Sequence, residues 1–92
     1  PRDGALLRYG LGTEYAHEGD GARAIEHLSR AVEYDPGYSA AWSLLGKLLA
    51  DASRQDEALE AWARGIEAAR ARGDKQAEKM MTVFAKRLRG KT

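Results

Sequence analysis

Residues 40–62 read AAWSLLGKLLADASRQDEALEAW, two helix-like segments joined by a short polar break. Trp42, Leu45, Gly46 and Leu49 recur at the three- and four-residue spacings of one helix face, and Ala58 and Trp62 do the same beyond the break. Sliding the sequence against itself by 34 positions brings Leu11-Gly12 onto Leu45-Gly46, Ala24 onto Ala58 and Ile25 onto Leu59. One helix pair is therefore written twice. Small residues at Gly12 and Gly46, expected to face Ala24 and Ala58, let paired helices approach closely. Tyr15, Leu28, Trp42 and Trp62 are the large residues expected to fill the space between successive pairs.

Outward from this stretch, breaks fall at Gly19-Asp20-Gly21, Asp35-Pro36-Gly37, Ser53-Arg54 and Gly73-Asp74. They leave five helical segments of about 14 to 17 residues, and nothing alternates with the period of a strand. The chain reads as all-α. In the first helix Leu7, Leu11 and Tyr15 share a face at spacings of four. Asp20 is expected to cap the second helix, Ser39 or its predecessor the third, and Asp74 the fifth, each accepting an otherwise orphaned backbone N–H. Gly73 is placed for a left-handed stop after the fourth. The last helix, Asp74 to about Arg89, puts Ala77, Met80, Met81, Phe84 and Leu88 on one face.

The 34-residue period, with Trp42, Leu45, Gly46, Leu49, Ala58 and Trp62 in one copy and Leu11, Gly12, Tyr15, Ala24, Leu28, Ala31 and Pro36 in the other, resembles the tetratricopeptide repeat family. The resemblance implies a right-handed α-solenoid of antiparallel helix pairs in a single domain over residues 1–92. Repeat 1 spans about 5–38, repeat 2 about 39–72, and a capping helix about 74–89 with a polar outer face closes the array. Four departures stand out: Arg8 at the first tryptophan position, Gly65 for an alanine, Arg70 for the closing proline, and Ser53-Arg54 for a Gly-Asp turn. Losing the proline lets the fourth helix run on toward Arg72. Met81 stands where the third copy would carry its small glycine.

The resemblance further implies a concave groove lined by the first helix of each pair, holding a protein or peptide segment. Projected onto this chain, that lining is Tyr9, Thr13, Ala16 and His17, then Ser43, Lys47, Ala50 and Asp51, with Glu78, Thr82 and Lys86 from the cap. Tyr9 is the expected apolar anchor, Lys47 the charged contact, and His17, Ser43 and Asp51 the hydrogen-bonding groups. The lysine–asparagine–arginine carboxylate clamp of one subfamily is not formed here. Two other functions compete with the groove: self-association through an uncapped first helix, and weak binding of nucleic acid or an acidic partner by the basic C-terminal face.

Composition narrows the rest. Residues 1–63 carry 6 basic and 11 acidic side chains (−5) and residues 64–92 carry 9 and 3 (+6), giving the net +1 and a charge axis along the molecule. The positive end is Arg64, Arg70, Arg72, Lys75, Lys79, Lys86, Arg87, Arg89 and Lys91, which do not interleave with aromatics as RNA readers do. With no cysteine there is no disulfide or thiolate chemistry, which suits a cytoplasmic protein, and no apolar run is long enough to span a membrane. Beginning with Pro1 instead of Met, the chain is compatible with a piece of a longer protein. Gly10-Leu11-Gly12 lacks a preceding strand and a third glycine, Gly90-Lys91-Thr92 lacks the leading glycine of a phosphate loop, and Arg72-Gly73-Asp74 is explained by a helix stop. Glu14 and His17 have metal-ligand spacing but need a second such pair that His27 does not supply. Neither a catalytic set nor a cofactor or metal site emerges, so a non-enzymatic binding module is expected.

Overall fold

A computed structural model describes residues 2–90. Five helices follow in order: α1 (Arg2–His17), α2 (Gly21–Tyr34), α3 (Ser39–Asp51), α4 (Gln55–Arg72) and α5 (Lys75–Gly90). No strand occurs among the described residues. Each helix packs on the next, and α5 also touches α3, so α1, α3 and α5 form one layer of a helical repeat solenoid and α2 and α4 the other. The body measures 35 × 31 × 17 Å.

The ends of the helices follow their local chemistry. Asp20 Oδ1 accepts from the Arg23 N–H at 3.1 Å and Asp74 Oδ1 from the Ala77 N–H at 3.1 Å, satisfying first-turn donors of α2 and α5. For α3 the expected cap is not made: Tyr38 occupies the cap position without a side-chain bond, and Ser39 is already helical and buried. Gly73 ends α4 at φ +73°, and the missing proline does let α4 reach Arg72. Ser53 takes φ +63° where the first copy has Gly19 at +82°, so the degenerate turn keeps the glycine backbone without the glycine.

One core runs from α2 through α3 and α4 into α5, built on Leu28, Ala31, Trp42, Leu45, Ala58, Trp62, Ala69, Met81 and Ala85. Both tryptophans belong to it, at 8% and 3% exposure, and both indole N–H groups are satisfied: Trp42 donates to the Pro36 carbonyl at 2.8 Å and Trp62 to the Ser43 carbonyl at 3.1 Å. The glycines make room for large side chains of the partner helix. A Cβ on Gly46 would overlap the Trp62 indole, so Gly46 makes room for Trp62. A Cβ on Gly12 would lie 2.7 Å from Leu28 Cγ, with the Ala24 carbonyl next at 3.3 Å.

Two departures from the repeat turn out to be one adjustment. A Cβ on Gly65 would lie 2.4 Å from Met81 Sδ and 2.7 Å from Trp42 Cβ, and Met81 is fully buried. The thioether fills the space that an alanine at 65 would need. Met81 is thus a core residue, whereas Met80, expected on the same buried face, is 44% exposed, and Ala85 is buried in its stead. Of the row Leu7, Leu11 and Tyr15, Leu7 is 63% exposed, whereas Tyr15 stacks on His27 of α2.

Candidate partner-binding groove

The concave layer presents two open depressions on either side of α3. The first, about 290 Å³, is lined by Tyr9 of α1, Ser39, Ala40, Ser43, Leu44 and Lys47 of α3, and Asp74, Ala77 and Met80 at the start of α5. The second, about 190 Å³, is lined by Lys47, Ala50 and Asp51 of α3, Trp62 of α4, and Phe84, Arg87 and Leu88 of α5. Lys47 borders both. Its Nζ stands 5.2 Å from the Phe84 ring centre, a cation–π contact, and no carboxylate lies within ion-pair distance of it among the described residues. Phe84 in turn leans on Trp62 with ring centres 5.5 Å apart, so the floor of the second depression is continuous with the core.

Tyr9 closes the first depression by packing on Tyr38, ring centres 4.9 Å apart and tilted by 33°. Burial of the Tyr38 phenol, then the neighbouring Tyr9 and Asp35, push its pKa above the ordinary 10.0. It stays a neutral hydrogen-bonding group at physiological pH.

Of the residues projected onto the groove, Tyr9, Ser43, Lys47 and Asp51 do line these depressions. Thr13 and Thr82 spend their hydroxyl protons on their own helices, donating to the Tyr9 carbonyl at 2.9 Å and the Glu78 carbonyl at 2.8 Å, and line neither. His17, exposed in the last turn of α1, and Lys86, exposed on α5, also line neither. Glu78 points to α4, where Arg70 Nε donates to its carboxylate at 2.7 Å. In their place α5 brings Ala77, Met80, Phe84 and Arg87 to the concave side. With no second helix of its own pair among the described residues, α5 buries only Met81 and Ala85 and leaves Met80 and Val83 exposed. The apolar run of α5 was the available signal, but it does not say which apolar residues face the core and which the groove.

The basic C-terminal cluster is less concentrated than its count implies. Arg64 pairs with Glu60 at 2.8 Å, Arg70 with Glu78 at 2.7 Å and Arg72 with Asp35 at 3.4 Å. Lys91, like Thr92 of the Gly90-Lys91-Thr92 sequence, lies outside the described residues. No cluster of metal-ligating side chains occurs among the described residues, and none of the described helices is long and apolar enough to cross a membrane.

Comparison with known proteins places this geometry. A tetratricopeptide repeat family model matches residues 15–81. The TPR repeat-containing protein PA0015 of Pseudomonas aeruginosa is 55% identical over 86 residues, 94% of this chain and 82% of that protein. Among solved structures, the crystal structure of a tetratricopeptide repeat domain protein from Salinibacter ruber superposes with a TM-score of 0.87 at 30% identity, covering 94% of this chain and 96% of that one. The solution structure of BPP2914 from Bordetella parapertussis gives 0.83 at 41% identity, covering 95% of this chain and 76% of that one.

Proposed function

The chain belongs to the tetratricopeptide repeat family, whose fold generally mediates protein–protein interaction, and from that premise we propose that its concave face holds a segment of a partner protein across α3. The observation that carries this reading is the position of Lys47, an unpaired cation bordering two apolar depressions at once. The fitting segment carries two apolar side chains, one for the Tyr9–Leu44–Met80 depression and one for the Phe84–Leu88 depression, with an acidic group between them over Lys47. Depressions this small and open hold single side chains better than a drug-sized molecule. A segment lying over Lys47 also partly desolvates the ammonium, which strengthens its pairing with a carboxylate. The reading is of a non-enzymatic scaffold.

The test is affinity capture from the source cell with cross-linking. The parent chain should recover a defined partner, and Lys47→Glu and Met80→Glu should each lose it while the helical circular dichroism signal persists. Both side chains are exposed, so neither change should unfold the chain. Identical recovery by parent and both variants would remove the concave face from consideration.

A further inference from the structure

The chain has no cysteine and two methionines, so the thioethers of Met80 and Met81 are its only sulfur atoms. They are neighbours in sequence and stand in opposite surroundings, because successive helix positions are turned by about 100°. Met81 is fully buried, its sulfur in the gap that Gly65 leaves beside Trp42. Met80 is 44% exposed, and of the five large apolar residues exposed among the described residues it is the one that lines a concave depression. That depression is bounded by α1, α3 and α5, with Tyr9, Leu44 and Ala77 as its other apolar walls, so Met80 is part of the partner-facing site.

A thioether reacts with a hydroperoxide without a catalyst. A sulfur lone pair attacks one peroxide oxygen, the S–O bond forms as the O–O bond breaks, and water leaves after proton transfer; the sulfur gives up two electrons and the peroxide is reduced. The oxidant must reach the lone pair, so exposure decides which methionine reacts. In a chain without thiols no more reactive thiolate competes for the peroxide. The product at Met80 is a polar sulfoxide in an apolar wall. A partner's apolar side chain laid over it would strip water from the new oxygen, which costs binding free energy. Met81 is out of reach, so the core is left as it is. Reduction by a dithiol through a methionine sulfoxide reductase removes the oxygen as water and restores the thioether.

We infer that Met80 is a reversible oxidation site through which a hydroperoxide closes the concave face to its partner while the fold stays intact. The inference rests on the partner-binding reading of that face. To test it, the folded chain is treated with hydrogen peroxide, mapped by peptide mass spectrometry, and then used as bait for the partner that the untreated chain recovers. Met80 should gain one oxygen at least about tenfold faster than Met81, with unchanged circular dichroism. Capture by the oxidised chain should fall at least about tenfold and return after treatment with reductases for both sulfoxide epimers. The recovered partner, added before the peroxide, should shield Met80, since coupling between two events on one site is reciprocal. Met80→Leu, whatever its own level of capture, should show the same level before and after peroxide. Equal oxidation of the two methionines, or undiminished capture by the Met80 sulfoxide, would overturn this inference alone. Recovery of no partner by the untreated chain would overturn the reading of the concave face, and the oxidation switch with it.

Discussion

The two repeats follow the same pattern and meet it with opposite strengths. Repeat 1 has the better turn: Gly19 at φ +82° and Asp20 capping α2. Its packing is thinner, with Arg8 in the tryptophan position donating to His27 Nδ1 at 3.0 Å, while the His27 ring stacks on Tyr15 with centres 5.4 Å apart. Repeat 2 has the better core, with Trp42 and Trp62 both buried and bonded, and the poorer turn, with Ser53 in a glycine conformation and Arg54 capping nothing with its side chain. The comparison separates two ways of holding a helix pair together. Local turn chemistry is worth about 1 kcal/mol per cap, whereas a buried tryptophan is worth several, so the pair with the better core can tolerate the worse turn.

The sharpest way to break this comparison is to add one methyl group to each pair. Gly46→Ala should destabilise by about 3 kcal/mol or more, because the rigid Trp62 indole must leave and give up its bond to Ser43. Gly12→Ala should cost only about 1 to 2 kcal/mol, since Leu28 can turn to another rotamer. Urea denaturation of both would show it, and equal losses would mean that the tryptophan slot is not what distinguishes repeat 2. Next in size is the Gly65–Met81 adjustment. Gly65→Ala should cost about 1 to 3 kcal/mol, and in that background Met81→Ala should cost at least about 1 kcal/mol less than it does alone. A double-mutant cycle that closes additively would show that the two departures are unrelated.

Restoring the turn works in the other direction. Ser53→Gly with Arg54→Asp rebuilds Gly19-Asp20 in repeat 2 and should gain about 1 kcal/mol, read as a raised thermal midpoint; no gain would mean that the left-handed serine carries little strain. The smallest effect concerns the contact between the repeats. Tyr38 has a raised pKa in the fold, so the folded state holds its proton more tightly than the unfolded chain. Its contribution is complete below the ordinary 10.0 and is lost as pH rises through the raised value. Tyr38→Phe should therefore flatten the fall in stability above about pH 10.

Helix number, order, most ends and the family were legible because they rest on local signals: Gly, Pro and Asp at breaks, and apolar spacing between them. The α3 cap is not made because the helix begins at Ser39 itself, which leaves Tyr38 at the cap position with no side-chain bond. The placement of the projected lining residues divides along the same line. Tyr9 of α1 and Ser43, Lys47 and Asp51 of α3 border the two depressions. Thr13 and His17 of α1 and Glu78, Thr82 and Lys86 of α5 line neither depression.

The sequence by itself determined which segments are helices and how they pair, since those depend on residues near one another along the chain. Only the tertiary structure decided which residues of α5 are buried, the joint fit of Gly65 with Met81, and the exposure of Leu7 where Ala41 is buried. Each of these depends on what occupies the space next to a helix, and that neighbour is set by packing between distant segments, which no local pattern records.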